Sequence, residues 1–302
     1  ATTKISKEKI GLLEAHGARV VICPVDVAAD DPRSYYKVAE RIRDEEGAYL
    51  PNQYHNAANP ETHYRTTGPE IWRQTDGKVT HWVAGVGTGG TVSGVSRYLK
   101  EQNPAIRTIG VDPVGSVYAY WNEHGHLPPP EELDFYLIDG IGQSYMPDSC
   151  WPETIDEVIT VSDQIAYDEV FALAKSEAIF TGSSGAAAAW AAREVARKLP
   201  ADALVVTLLP DSGERYLSKL NPEWMKEKGL LEKENESVRR ELHDRERKLD
   251  KAEDANQSRA DQLGKPALGG RLNINKKPVL GYSAGLVLAR ALFEPGQDRQ
   301  RI

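Results

Sequence analysis

The chain has 302 residues, 40% hydrophobic and 27% charged, which is enough to bury one large core or two smaller ones. Its net charge of −8 argues against nucleic acid as the main partner. No stretch reaches the roughly 20 apolar residues of a membrane span, so we expect no membrane association. Two cysteines are too few for a disulfide framework and indicate a reducing cytoplasm. No cluster of His and Cys has metal-ligand spacing, and we predict no metal.

Residues 1–231 alternate between helical and strand-like patterns. A first helix is predicted to begin after Ser6 and to end near Gly17, followed by a buried strand at residues 18–23. Further strands are predicted at residues 81–86, 107–111, 157–161 and 203–209, and further helices at 32–46, 90–100 and 186–199 and after Ser162 or Asp163. This alternation predicts an α/β fold with three layers, a mostly parallel sheet covered by helices on both faces.

Two shifts of composition follow this region. Residues 232–262 contain ten acidic and eight basic residues without Gly, Pro or aromatic residues. Their apolar positions lie close to a heptad pattern, which fits either a solvated helix or linker, or a short coiled coil. Residues 263–302 contain seven basic and two acidic residues, and this shift marks a third segment. We therefore predict a core at 1–231, a charged helical segment at 232–262 and a basic segment at 263–302.

The strongest local signal is a glycine-rich segment at residues 87–91, between a predicted strand and a predicted helix. Glycines let the backbone turn sharply and approach an anion, and the N–H groups at a helix start point at it. Two threonines add neutral donors. The pattern indicates a cradle for a terminal phosphate, or else a glycine-rich turn without a ligand. Replacing Gly89 with valine is expected to weaken phosphate binding while the fold is retained.

The segment resembles the Gly-Thr-Gly-Gly-Thr loop that holds the cofactor phosphate in fold-type II pyridoxal-phosphate enzymes. Other segments resemble the cystathionine β-synthases and cysteine synthases of that family, in the family's order: residues 4–9, 17–21, 56–60, 66–72, 112–116, 140–142, 209–212 and 224–230. The resemblance covers about residues 4–231. It implies a fold like that of tryptophan synthase β, pyridoxal 5′-phosphate as cofactor, small amino-acid substrates and a cytoplasmic homodimer.

The resemblance also implies roles for individual residues. Ser183 matches the serine that faces the pyridine nitrogen, although it also fits a helix N-cap. A neutral hydroxyl does not keep that nitrogen protonated, which favours expulsion of the β-substituent. Residues 140–142 could be only a turn, Asp211 a strand-end cap and Tyr54 a packing residue. The implied residues are Gly87, Thr88, Gly89, Gly90 and Thr91 for the phosphate, Ser183, Pro210 and Asp211 for the rest of the cofactor, and Gly140, Ile141, Gly142 and Tyr54 for the substrate.

Two family elements have no match in residues 1–231. One is an Asn-Pro-Gly-Gly-Ser-Val-Lys-Asp-Arg-like segment, whose lysine bonds covalently to the cofactor. The other is a Ser/Thr-Gly-Asn-Thr-Gly loop for the substrate carboxylate. Residues 263–302 resemble the family's N-terminal stretch, but no lysine follows Lys277, and arginine cannot replace one because a guanidinium stays protonated. This segment is interpreted as a displaced N-terminal half or as an unrelated basic tail, and the catalytic lysine is unassigned.

Three functions stay open at this level. The first is β-replacement on L-serine or an O-acylserine with homocysteine, which the resemblance at residues 112–116 and 224–230 favours. The second is cysteine synthesis from sulfide. The third is a non-catalytic fragment or assembly protein that associates through residues 231–263. His55 and His63 are interpreted as surface residues, and Lys219 as a solvated helical position.

Overall fold

The computed structural model describes residues 1–231 and the backbone of a short strand at Leu286–Val287. The predicted segments 232–262 and 263–302 otherwise lie outside the described residues. The α-helices are α1 (Lys7–Ala15), α2 (Tyr35–Glu46), α3 (Ala58–Arg65), α4 (Thr67–Gln74), α5 (Gly90–Gln102), α6 (Tyr118–His124), α7 (Asp163–Glu177), α8 (Ser183–Ala196) and α9 (Pro222–Glu227). The strands are β1 (His81–Gly85), β2 (Arg107–Pro113), β3 (Glu157–Val161), β4 (Val205–Leu208) and β5 (Leu286–Val287).

Of the described residues, 1–220 and the strand Leu286–Val287 belong to one compact unit, and residues 221–231 belong to a second. In the second unit the structure describes α9, whose N-cap Asn221 accepts a hydrogen bond from the Trp224 N–H at 2.9 Å. Within residues 1–231, each helix is too short or too polar to cross a lipid bilayer.

The sheet has the strand order β3-β2-β1-β4-β5. β1 pairs in parallel with β2 and β4, and β2 pairs in parallel with β3. β5 pairs antiparallel with β4 at the edge. Parallel neighbours need crossover connections, and helices provide them here. The predicted mostly parallel sheet is confirmed.

Both faces of the sheet are buried. Successive residues of β1 contribute to different cores, Trp82 and Ala84 to one and Val83 to the other, because side chains alternate along a strand. Leu99 of α5 packs into the first core, and Ala187 of α8 into the second. This arrangement confirms the predicted three layers, and the small alanine side chains let α8 approach the sheet closely.

Several predicted boundaries are confirmed by the caps. The Ser6 hydroxyl accepts from the Lys9 N–H at the start of α1, and Ser162 accepts from the Ile165 N–H at the start of α7. Helices α3, α4, α6 and α9 have no counterpart in the sequence prediction. Pro60 and Pro69 both lie in a first helical turn, where an N–H has no partner within the helix, so neither interrupts it.

The predicted buried strand at residues 18–23 is wrong. Only Cys23 makes a bridge, to Thr2, and Val21 and Ile22 are 36% and 45% exposed. A strand needs a hydrogen-bonding neighbour along its length, and within the described chain only the first three residues lie beside it. The apolar pattern by itself could not supply that neighbour.

Candidate active site

The glycine-rich loop joins the end of β1 to the start of α5. Gly89 is the N-cap residue of α5 and has φ +84°, a left-handed conformation that favours glycine. A Cβ at Gly89 would lie 2.3 Å from Cβ of Cys150, and one at Gly87 would lie 2.6 Å from the carbonyl oxygen of Gly140. No described side chain caps α5. The N–H groups of its first turn therefore stay available to an anion.

The loop forms part of the wall of a cavity of about 1010 Å³. The cavity lies beyond the carboxyl ends of β1, β2 and β4, the edge at which α/β proteins bind ligands. The predicted site residues on this wall are Gly87, Thr88, Gly89, Thr91, Gly140, Ile141, Gly142, Tyr54, Pro210 and Asp211. Gly90 and Ser183 are buried outside the wall. The fold thus brings most of the predicted residues together around one space.

The loop at residues 140–142 lies directly beside the glycine-rich loop. Gly140 and Gly142 have φ of +88° and +84°, and the Gly142 N–H donates to the Val86 carbonyl at 2.8 Å. A Cβ at Gly85 would lie 2.6 Å from Cγ2 of Ile141. The segment is an irregular loop with two left-handed glycines, and it also lines the cavity.

The two serines at the start of α8 differ in position. Gly182, not Ser183, is the N-cap, so the alternative role of Ser183 as a helix cap is wrong. The Ser183 hydroxyl accepts a hydrogen bond from the Asp139 N–H at 3.2 Å, whereas Ser184 lies on the cavity wall. The contact between Ser183 and a pyridine nitrogen stays a prediction, and Ser184 is the serine of this pair that lines the cavity.

Lys219 is not the solvated helical residue that the sequence suggests. It lies in a turn and is 6% exposed. Its ammonium donates to the carboxylate of Asp139 and to the carbonyl oxygen of Lys4. A buried ammonium is stable only when its charge is paired in this way. The prediction fails because these partners lie 80 and 215 residues away in the sequence.

Lys4 and Lys9, unlike Lys219, line the cavity. Burial lowers the pKa of Lys4 to about 8, while Asp139 opposes the shift and Lys219 adds to it. The Lys4 ammonium lies 4.0 Å from the centre of the Tyr136 ring. Lys4 is therefore a cavity amine that is partly neutral near pH 8, a property that the sequence did not reveal.

Asp211 follows β4 and lies on the wall with Pro210. Its carboxylate accepts from the Tyr216 hydroxyl at 2.5 Å and lies 3.8 Å from Nζ of Lys9. Both contacts join side chains, so they do not support the alternative of a strand-end cap. They fix the carboxylate at one side of the cavity.

Tyr54 belongs to a cluster of aromatic rings beside the cavity. Its hydroxyl lies 2.9 Å from that of Tyr35, and its ring centre lies 5.1 Å from that of Tyr36. Tyr54 therefore packs and lines the wall at once, so the two interpretations of this residue are compatible.

Helix α3 supplies two residues that the sequence analysis missed. Asn59 binds Thr88, and His63 binds Thr91, so both threonines of the glycine-rich loop contact this helix. The interpretation of His63 as a surface residue is wrong, because it is partly buried and both of its ring nitrogens are bonded. His55, in contrast, is exposed, as expected. Residues four apart lie on one face of a helix, so the spacing of Asn59 and His63 was the sequence feature that could have identified them as a pair.

Comparison with known proteins identifies a family for this arrangement. The family described as "Pyridoxal-phosphate dependent enzyme" matches residues 2–211. Cystathionine beta-synthase of Oryctolagus cuniculus is 38% identical over 244 residues, which cover 78% of this chain and 43% of that protein. The O-acetylserine dependent cystathionine beta-synthase of Bacillus subtilis is 38% identical over 215 residues, 71% of this chain and 66% of that protein.

A solved structure gives the same result. The crystal structure of O-acetylserine dependent cystathionine beta-synthase from Helicobacter pylori is similar with a TM-score of 0.63 and 37% identity. The similarity covers 72% of this chain and 68% of that one. The present chain thus spans less than half of the rabbit protein and about two thirds of the bacterial ones.

Proposed function

We propose that this chain, which belongs to the family of pyridoxal-phosphate-dependent enzymes, uses its cavity to bind the cofactor and to support β-replacement on L-serine or an O-acylserine. The observation that carries this proposal is the position of the glycine-rich loop. It lies at the start of α5 and on the same cavity wall as residues 140–142. We assign the phosphate to the first loop and the amino-acid substrate to the second.

The residues of the loop fit a phosphate group. Glycines at 87 and 89 let the loop pass close to Gly140 and Cys150, and the N–H groups at the start of α5 supply donors. Thr88 and Thr91 add hydroxyl donors on the same wall. With no lysine or arginine between residues 87 and 91, the phosphate charge would be balanced by aligned amide dipoles.

The rest of the wall would hold the ring and the substrate. Bound pyridoxal phosphate supplies an electron sink for bond changes at the substrate Cα. A serine hydroxyl at the pyridine nitrogen, from Ser183 by resemblance or from Ser184 on the wall, is neutral and does not keep that nitrogen protonated. This favours loss of the β-substituent. Pro210 and Asp211 would form the part of the wall beside the cofactor. Ile141 and Tyr54 would form the part beside the substrate.

We expect homocysteine rather than sulfide to be the thiol, since the relatives are named cystathionine beta-synthases and two are O-acetylserine dependent. Incubation of the chain and cofactor with serine or O-acetylserine plus each thiol should give cystathionine with homocysteine. Turnover should be slow because no lysine matches the family's covalent one. Production of cysteine from sulfide alone would assign the chain to the cysteine synthases instead.

We also predict that the cofactor is held without a covalent bond to the protein. Borohydride reduction with cofactor, followed by peptide mass mapping, should find no lysine labelled in full. Lys219 is held by two acceptors, while Lys4, with its pKa of about 8, should show only trace labelling at pH 7.

A control is Lys4→Arg, which should abolish the trace labelling of this position, because a guanidinium stays protonated and forms no imine with the cofactor. Inorganic phosphate in excess should also suppress it by occupying the glycine-rich loop. Full labelling of one lysine, together with serine turnover, would show that this chain is catalytically complete and would contradict the prediction.

A further inference from the structure

Helix α3 lies directly against the start of α5. A Cβ at Gly90 would lie 1.9 Å from Oδ1 of Asn59, and one at Gly94 would lie 2.1 Å from the carbonyl oxygen of Pro60. The two glycines therefore permit a close helix–helix contact that larger residues would prevent. Asn59 and His63 are four residues apart and so lie on one face of α3. Each binds one threonine of the glycine-rich loop.

Asn59 determines the direction of the hydrogen bond to Thr88. Its Nδ2 lies 2.8 Å from the carbonyl oxygen of Gln53 and 2.9 Å from Oγ1 of Thr88. A carbonyl oxygen can only accept, so the amide nitrogen, and not the amide oxygen, must face it. The same nitrogen then donates to Thr88. The Thr88 hydroxyl accepts this bond and keeps its own proton for another acceptor.

His63 joins two threonines. Its Nδ1 lies 2.9 Å from Oγ1 of Thr67, and its Nε2 lies 3.0 Å from Oγ1 of Thr91. Burial lowers the pKa of His63, so the ring is neutral at neutral pH and carries a single N–H.

The position of that proton decides what Thr91 can do. With the proton on Nε2, His63 donates to Thr91 and leaves the Thr91 proton free for an anion, while Thr67 donates to Nδ1. With the proton on Nδ1, Thr91 must donate to His63 instead. A phosphate at the loop therefore selects the Nε2–H form.

We infer that helix α3 is a positioning element for the phosphate site: Asn59 and His63, the latter assisted by Thr67, orient the hydroxyls of Thr88 and Thr91 as donors toward a phosphate monoester. The inference rests on the proposed function, since it assumes that the glycine-rich loop binds phosphate. It adds that the loop's donors are set by side chains that do not line the cavity. His63 acts through Thr91 and not by contact with the ligand.

The test compares variants of the 302-residue chain in their binding of 4′-deoxypyridoxine 5′-phosphate and of inorganic phosphate, by titration calorimetry. The deoxy probe lacks the aldehyde, so it cannot react with a lysine. His63→Leu should lower the affinity for both ligands about tenfold, which is the effect of losing one hydrogen bond to a charged group. His63→Gln retains an N–H donor and should stay within about threefold of the original affinity. Circular dichroism checks that each variant is folded.

A double mutant separates positioning from general damage. If His63 acts through Thr91, adding His63→Leu to Thr91→Val should cost no further affinity. Thr62→Val, on the same helix and with its hydroxyl bonded to the Ala58 carbonyl, is the control and should bind like the unmodified chain. In ¹⁵N NMR, His63 should carry its proton on Nε2 once phosphate is bound.

The outcomes distinguish the inference from the proposed function. If neither ligand binds the unmodified chain, the phosphate assignment of the loop fails and the inference fails with it. If both ligands bind but His63→Leu binds them equally well, or if the loss is the same with and without Thr91, only the inference is overturned. An Nδ1–H ring in the phosphate complex would also overturn it.

Discussion

Replacement of Lys219 with methionine should destabilise the fold by about 3–5 kcal/mol, the cost of leaving a buried charge without its partner. The side chains of Lys219 and Asp139 are only 8% and 12% exposed. Methionine fills a similar volume but offers no donor to Asp139 or to the Lys4 carbonyl. Urea denaturation followed by circular dichroism measures the loss as a lower midpoint with an unchanged slope.

Two variants control this prediction. Lys219→Met with Asp139→Asn removes both charges and should recover part of the lost stability. Lys37→Met breaks an exposed pair with Glu40, in which each side chain is 43% exposed, and should cost less than about 1 kcal/mol. A Lys219→Met variant as stable as the unmodified chain would show that the pair does not hold this part of the fold together.

Replacement of Gly89 with valine should destabilise the fold by about 2–6 kcal/mol, the sum of a strained left-handed conformation and of overpacking. Besides φ of +84°, an added Cβ would lie 2.3 Å from Cβ and 2.4 Å from Cα of Cys150. The backbone of Cys150 cannot move easily to relieve this overlap. The sequence-based expectation that the fold survives this change is therefore withdrawn, and phosphate binding should be lost along with stability.

Gly11→Ala is the matched control for this second prediction. Gly11 lies inside α1, and a Cβ there meets nothing within 4 Å. Alanine should stabilise the chain by about 0.4–1 kcal/mol, since it restricts the unfolded chain and favours the helix. Thermal unfolding of both variants checks the pair. Gly89→Val with unaltered stability would mean that the loop tolerates a side chain and that its glycine is not required by packing.

Much of the fold follows from short stretches of sequence. The apolar run at β1, the glycines after it and the serine that caps α1 were all identifiable, because each depends on neighbours within a few residues. The repeated change from strand to helix then predicted the parallel sheet and its two covered faces. The same local pattern marked the glycine-rich loop, since a strand, a glycine turn and a helix start form one continuous segment.

The burial and the hydrogen bonds of the side chains near that loop were determined by tertiary structure. Lysine is a residue type that usually lies at the surface. Lys219 is buried only because Asp139 and the Lys4 carbonyl, which lie far away in the sequence, accept hydrogen bonds from its ammonium. His63 contacts Thr91 because α3 packs on α5, and Ser184 rather than Ser183 lies on the cavity wall because of how α8 begins. Side-chain burial, pKa and hydrogen-bond direction depend on partners far away in the sequence. The sequence determined the main strands and the glycine-rich loop, whereas tertiary packing determined that residues 18–23 form no strand and which side chains lie beside the loop.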